Sequence, residues 1–150
     1  MSPPPLVVQR LPHAGDLPPP AYETAGAAGL DLRAALSAAI TLQPGQRSAV
    51  PTGFALAIPH GYEGQVRARS GRALREGLGL VNAPGTIDSD YRGELLVLAI
   101  NLGDKPIDIA PGERIAQLVI APVAQLPVAE AAALPPTVRG AGGFGHTGRR

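Results

Sequence analysis

A chain of 150 residues is one domain's worth of sequence, long enough to bury a core without disulfide or metal staples. Nineteen Gly and seventeen Pro beside 45% hydrophobic content disfavour a helical bundle and fit a folded chain with many turns. Thirteen basic against twelve acidic residues leave a formal charge of +1, which gives no bulk-charge support for a nucleic-acid partner, and the absence of Cys excludes a disulfide framework or a thiolate metal site.

The opening MSPPPLVVQR carries no charged-then-apolar leader pattern, and no apolar run approaches the roughly 18 residues of a membrane span. The expectation is a soluble, cytoplasmic protein with no membrane partner. Pro3 to Pro5 and Pro18 to Pro20 read as extended segments. Gly29 to Ala34 alternates apolar and polar residues, as do Phe54, Leu56 and Ile58 with their small neighbours, and Gln65 to Arg69. Gly71 to Glu76 reads as one short helix, with Ser70 as its cap. Leu95 to Leu102 and Arg114 to Val123 read as apolar strands entered through Gly93 and through Pro111-Gly112. Turn signals at Pro44-Gly45, Thr52-Gly53, His60-Gly61, Pro84-Gly85 and Gly103-Asp104 punctuate the strands. The Ala-rich Val128 to Leu134 is a candidate helical turn. The pattern predicts an all-β fold: a jelly-roll-like barrel or sandwich of short strands with one short helix. Residues 1–134 form the β domain, and 135–150 a flexible Gly-rich C-terminal arm.

Three polar clusters stand out. The densest runs from Asn82 to Glu94, where Asp88 and Asp90 share a face if the segment is extended. A carboxylate there suits a general base or a cation ligand, and equally a turn cap. Arg67, Arg69, Ser70, Gly71, Arg72 and Arg75 form either an anion site or a basic surface turn. The third cluster, Arg139 to Gly148, is Gly-rich enough to wrap phosphates, and its Phe144 is placed to stack on a flat ligand. It is not a Walker loop, because no Gly-Lys-Ser/Thr follows.

Together the clusters describe a nucleoside polyphosphate site. The chain resembles the trimeric dUTPase family through five motifs in order: Ala28 to Ala34; Arg69-Ser70-Gly71; Asn82 to Glu94; Arg114 to Leu118; and Arg139 to Gly148. The resemblance runs from about Pro5 to Gly148.

The resemblance implies Mg²⁺-dependent hydrolysis of dUTP to dUMP and pyrophosphate, lowering dUTP and supplying dUMP for dTTP synthesis. Water attacks the α-phosphorus in line. Asp88 matches the residue that orients and deprotonates that water. Uracil is read by a hairpin from Leu80 through Leu96, with Asn82, Thr86, Ile87 and Leu96 against the nucleotide and Tyr91 under the deoxyribose. Arg69, Ser70, Gly71 and Gln117 match phosphate contacts, and Asp31 matches the acid that holds Mg²⁺ through water. Arg139 meets the γ-phosphate, Phe144 stacks on uracil, and Gly145 and Thr147 complete the clamp. The resemblance also implies a homotrimer with sites between subunits.

Two positions depart from the family. His146 stands where Ser is usual. Arg72 stands where an apolar residue is common, and reads as an exposed helix residue or as an added phosphate contact. A dCTP deaminase shares the expected fold but lacks the Phe-containing arm, and a non-catalytic β-trimer leaves the intact Asp88, Asp31, Gln117 and Arg139 unexplained.

Overall fold

The computed structural model describes residues 4–146 and 148. In chain order the elements are β1 (Val7–Arg10), a 3-10 turn (Pro12–Ala14), β2 (Leu30–Arg33), β3 (Ile40–Leu42), β4 (Arg47–Ala57), β5 (Tyr62–Ala68), α1 (Ser70–Glu76), β6 (Leu78–Leu80), β7 (Gly85–Ile87), β8 (Glu94–Asn101), β9 (Ile107–Ile109) and β10 (Arg114–Pro122). One four-stranded sheet has the order β1-β4-β8-β6 and the other β2-β10-β5-β7, while β3 and β9 form a two-stranded ribbon. Every pairing is antiparallel. Consecutive strands cross between sheets, and the result is the expected all-β jelly roll.

Period-two patterning builds the core. Along β8, Leu95, Val97, Ala99 and Asn101 point inward and are buried, while Leu96 and Leu98 face outward. Leu32, Val50, Ile109, Ile115 and Leu118 meet them from the other strands. Each such side chain contributes roughly 1.5–3 kcal/mol by leaving water. The buried Asn101 amide donates to the carbonyls of Leu42 and Lys105, and its oxygen accepts from the Gly103 N–H, so the β8–β9 turn is closed with no unmet polar group on that side chain.

Three local expectations change. Arg69, not Ser70, is the N-cap of α1, and no side chain caps the helix. Gly77 ends it in the left-handed region at φ 78°, with its N–H on the Ala73 carbonyl. Residues 128–134 form no helix and are exposed; seven residues with no neighbour to pack on cannot offset the cost of nucleation. Finally, 80–96 is not a simple hairpin. β6 and β8 do pair, with Leu80 opposite Ala99. Between them the chain passes a cis Ala83–Pro84 bond and crosses to the second sheet, where β7 pairs with β5. The 80–96 segment therefore bridges both sheets. Among the described residues, no helix is long and apolar enough to cross a membrane.

Candidate active site

The first group of site residues assembles across β2, β10 and the end of β5. Asp31 stands opposite Gln117 in the β2–β10 ladder, and Gln117 stands opposite Arg67 in the β10–β5 ladder. Asp31 is almost fully buried, so its charge needs partners. Its Oδ2 accepts from Nη1 of Arg114 at 3.0 Å. Its Oδ1 lies 3.4 Å from Nε of Arg69 and accepts from Nε2 of Gln117 at 3.4 Å. Arg69 also donates to the Arg114 carbonyl at 3.3 Å. Gly29 makes room for this cluster, since a Cβ there would fall 3.1 Å from the Cβ of Gln117. Ser70 and Gly71 follow Arg69 at the start of α1, and Ser70 is exposed. Arg69, Gln117 and Asp31 are thus brought together, with Ser70 and Gly71 next to Arg69 in the chain. Arg114 joins them; it opens the fourth sequence motif but was not singled out as a site residue.

The second group lines a cleft of about 210 Å³ formed by Asn82, Thr86, Ile87, Asp88, Tyr91, Glu94, Leu96 and Leu98. The Asn82 amide lies against Gly85, where a Cβ would stand 3.0 Å from Nδ2. Tyr91 Oη donates to the Glu94 carbonyl at 2.9 Å. The ring covers Gly93, where a Cβ would be 2.6 Å from Tyr91 Cζ; any larger residue at 93 would displace the ring. Asp88 is exposed just beyond β7 and, among the described residues, its carboxylate has no hydrogen bond or ion pair. It also borders a second cleft of about 510 Å³ with His60, Glu63, Ser89 and Asp90. Asp88 and Asp90 lie in a turn, not a strand, so the extended-chain reason for their sharing a face does not apply. Asn82, Thr86, Ile87, Asp88, Tyr91 and Leu96 therefore line one cleft, the base-side cleft of the sequence expectation. Glu94 and Leu98 were not foreseen on the wall; Leu98 follows from Leu96 by strand period two.

Arg72 is neither of the things its position suggested. It is buried, with Nε on Glu76 at 2.7 Å, Nη1 on Glu113 at 3.0 Å and Nη2 on the Asp108 carbonyl at 2.9 Å. All three partners belong to the fold. It is a tie between α1, β9 and the turn before β10, with no free face for phosphate.

The third group lies on the arm. Arg139 donates from Nε to the Gly142 carbonyl at 2.8 Å. Phe144 is fully exposed at φ 48°, and Gly145 is at φ 82°. Thr147 lies outside the described residues.

The first two groups do not form one site within a chain. None of Asp31, Arg69, Ser70 or Gln117 is on the wall of the base-side cleft. Asp31 on β2 and Ile87 on β7 are three strands apart in the order β2-β10-β5-β7, which is about 14 Å at the usual strand spacing. Arg67 and Gly64 mark their registers on β5, which adds about 10 Å along the strand.

The fold and the two groups define an all-β jelly-roll protein with a guanidinium-rich carboxylate cluster and a separate polar cleft that carries a carboxylate on its rim. The chain belongs to the dUTPase family, whose model matches residues 16–148. A deoxyuridine 5'-triphosphate nucleotidohydrolase of Methylocella silvestris is 60% identical over 143 residues, spanning 94% of this chain and 89% of that protein. One from Rhizobium meliloti is 56% identical over 149 residues, spanning 98% and 93%. Among solved structures, the Staphylococcus bacteriophage 80alpha dUTPase with dUPNHPP superposes with a TM-score of 0.86 at 27% identity, covering 96% of this chain and 98% of that one. A phage phi11 dUTPase from S. aureus, described for coordination of a structural Mg(II) ion, shares the fold with a TM-score of 0.77 at 23% identity, covering 89% and 100%.

Proposed function

We propose that the chain hydrolyses dUTP to dUMP and pyrophosphate, lowering dUTP and supplying dUMP. The observation that carries this reading is the unpartnered Asp88 carboxylate on the rim of the cleft that holds Asn82, Tyr91 and Leu96. Asp88 accepts a proton from a water as its oxygen attacks the α-phosphorus. The P–O bond to the β-phosphate breaks in line, and pyrophosphate leaves. Little covalent chemistry falls to the protein, so placement and charge neutralisation supply most of the rate.

The cleft supports base and sugar selection. Asn82 offers an amide to the uracil edge, with Thr86 and Ile87 supplying backbone on β7. A mismatch of hydrogen-bond donors and acceptors rejects cytosine more strongly than steric fit rejects a methyl. Tyr91, braced on Glu94, fills the space a 2′-hydroxyl would take.

Arg69, Ser70, Gly71 and Gln117 bind the triphosphate. Asp31 fits a water-mediated role toward Mg²⁺ and not direct coordination, because its two oxygens already face Arg114, Arg69 and Gln117. Among the described residues no cluster of three or more His, Cys, Asp or Glu is built to hold a metal. Mg²⁺ carried by the phosphates, as its hydration chemistry favours, would neutralise charge on the triphosphate when bound.

The wide separation of the Asp31 group from the Asp88 group supports a site shared between copies of the chain, one supplying the phosphate contacts and another the base cleft, and the family resemblance makes the assembly a homotrimer. The arm, residues 135–150, closes over the nucleotide: Arg139 on the γ-phosphate, Phe144 on uracil, and Gly145 and Thr147 along the phosphates. Gly-rich backbone gives it reach at an ordering cost that substrate contacts offset.

The test is pyrophosphate release with Mg²⁺ from dUTP, dCTP, dTTP and UTP in parallel, with ammonia followed in the dCTP reaction. Release from dUTP alone is expected. Ammonia from dCTP would move the protein to the deaminases, and silence in all four from folded protein would leave a binding site without the activity.

A further inference from the structure

The base-side cleft has a brace behind it that none of the five motifs supplies. The 3-10 turn Pro12–Ala14 docks on the bulge of β4. Leu11 N–H donates to the Gly53 carbonyl at 2.9 Å, and the buried Ala14 fills the place a Gly53 side chain would need. Gly53 sits at φ 77°, where the β4–β8 register slips between Pro51 and Ala55. The same bulge meets Glu94, the first residue of β8 and part of the cleft wall. Oε1 of Glu94 accepts two donors: the Gly53 N–H at 2.7 Å and Nε2 of His13 at 2.7 Å. A carboxylate oxygen accepts only, so His13 Nε2 is the donor. The main-chain carbonyl of Glu94, in turn, receives the Tyr91 hydroxyl at 2.9 Å.

A single residue therefore holds both ends of the arrangement. The Glu94 side chain is pinned from behind by His13 and by the bulge, and its carbonyl sets the Tyr91 ring in front. We propose that His13 is a positioning residue for sugar selection: by donating to Glu94 it fixes the start of β8, and so the height of the Tyr91 ring against the 2′ position of the nucleotide. His13 touches no substrate. This inference rests on the reading of Tyr91 as the sugar wall. It explains why a half-exposed His on the N-terminal segment is spent on a carboxylate 81 residues away in the chain.

The geometry also separates the two ways the ring could be held. The Gly53 contact alone fixes the Oε1 end of Glu94 along one direction. Adding His13 from the 3-10 turn constrains it from a second element, so that loss of His13 loosens the Glu94 end of the β4–β8 ladder, where Glu94 pairs with Ala55, while the five pairs from Arg47 to Pro51 hold. Selectivity should then loosen before stability does.

The experiment measures kcat/KM for dUTP and for UTP in wild type, His13→Ala, His13→Gln and Tyr91→Ala, and takes the ratio UTP to dUTP in each. His13→Ala is expected to raise the ratio about threefold to fivefold, the scale of losing one partly exposed charged hydrogen bond. His13→Gln keeps an N–H donor for Glu94 and is expected to stay nearer to wild type. Tyr91→Ala reports on the underlying reading and is expected to raise the ratio further. An unchanged ratio in His13→Ala beside a raised one in Tyr91→Ala overturns the positioning role and leaves the sugar wall standing. A ratio that moves in neither overturns both. If His13→Gln shifts the ratio as far as His13→Ala, the donated hydrogen bond is not the agent and the proposal fails.

Discussion

The backbone N–H of Tyr91 donates to the carbonyl of Asp88 at 3.2 Å, so the candidate base and the candidate sugar wall are the two ends of one turn. Tyr91 closes the next step by donating its hydroxyl to the Glu94 carbonyl. The spacing between carboxylate and ring is thereby set by main chain, with no hydrogen bond between the two side chains among the described residues. The Asp88 carboxylate stays free for water.

That freedom makes Asp88→Asn informative. Asparagine keeps the size and the turn but accepts no proton at neutral pH. Turnover of dUTP should fall about 10²- to 10⁴-fold, the usual contribution of a positioned general base, while dUTP binding by calorimetry stays within a few-fold. Unchanged turnover would remove Asp88 as the base.

Ending the chain at Val138 removes Arg139, Phe144, Gly145 and Thr147 together. Among the described residues, none beyond Pro122 belongs to the hydrophobic core. The urea midpoint should therefore not move, whereas kcat/KM for dUTP should drop by at least about tenfold as the closing contacts are lost. A fully active truncation would leave the arm without a catalytic role.

Much of this was legible in the chain. Alternation gave β2, the end of β4 and the end of β5, because burial on one side imposes period two, whereas β8 reads only as a continuous apolar run. The family resemblance assigned Arg69 and Gln117 to the phosphates, Asp31 to a hydrated Mg²⁺, and Asn82, Tyr91 and Leu96 to the nucleoside. Other features depend on what packs where, which local pattern does not encode. Val128 to Leu134 has helical composition but no neighbours. The 80–96 segment looks like a hairpin in sequence because its middle, β7, gives no local sign that it pairs with the other sheet. His13 and Glu94 are ordinary polar residues until the fold brings them within 2.7 Å.

Arg72 is the sharpest case, since its neighbours in sequence are phosphate candidates while its guanidinium is consumed by Glu76, Glu113 and the Asp108 carbonyl. Arg72→Ala should lower stability by about 1–3 kcal/mol, discounted because both carboxylates are partly exposed and can hydrate. Arg72→Lys should recover only part, since one ammonium cannot serve three separated acceptors in the planar geometry of a guanidinium. KM for dUTP should hold in both. A large rise in KM with unchanged urea stability would reinstate the phosphate role.

Gly53 gives a test of the brace that needs no substrate. Its φ of 77° disfavours any side chain, and a Cβ there would lie 2.8 Å from the Cα of Ala14. The backbone part costs about 1–2 kcal/mol and the overlap a further 1–3 kcal/mol or so. Gly53→Ala should therefore lower the urea-derived stability by about 2–5 kcal/mol. The two causes separate in a double-mutant cycle with Ala14→Gly. Removing the Ala14 methyl relieves much of the overlap but none of the backbone strain, so the pair should lose less than the sum of the singles. Strict additivity would mean that the 3-10 turn does not press on the bulge.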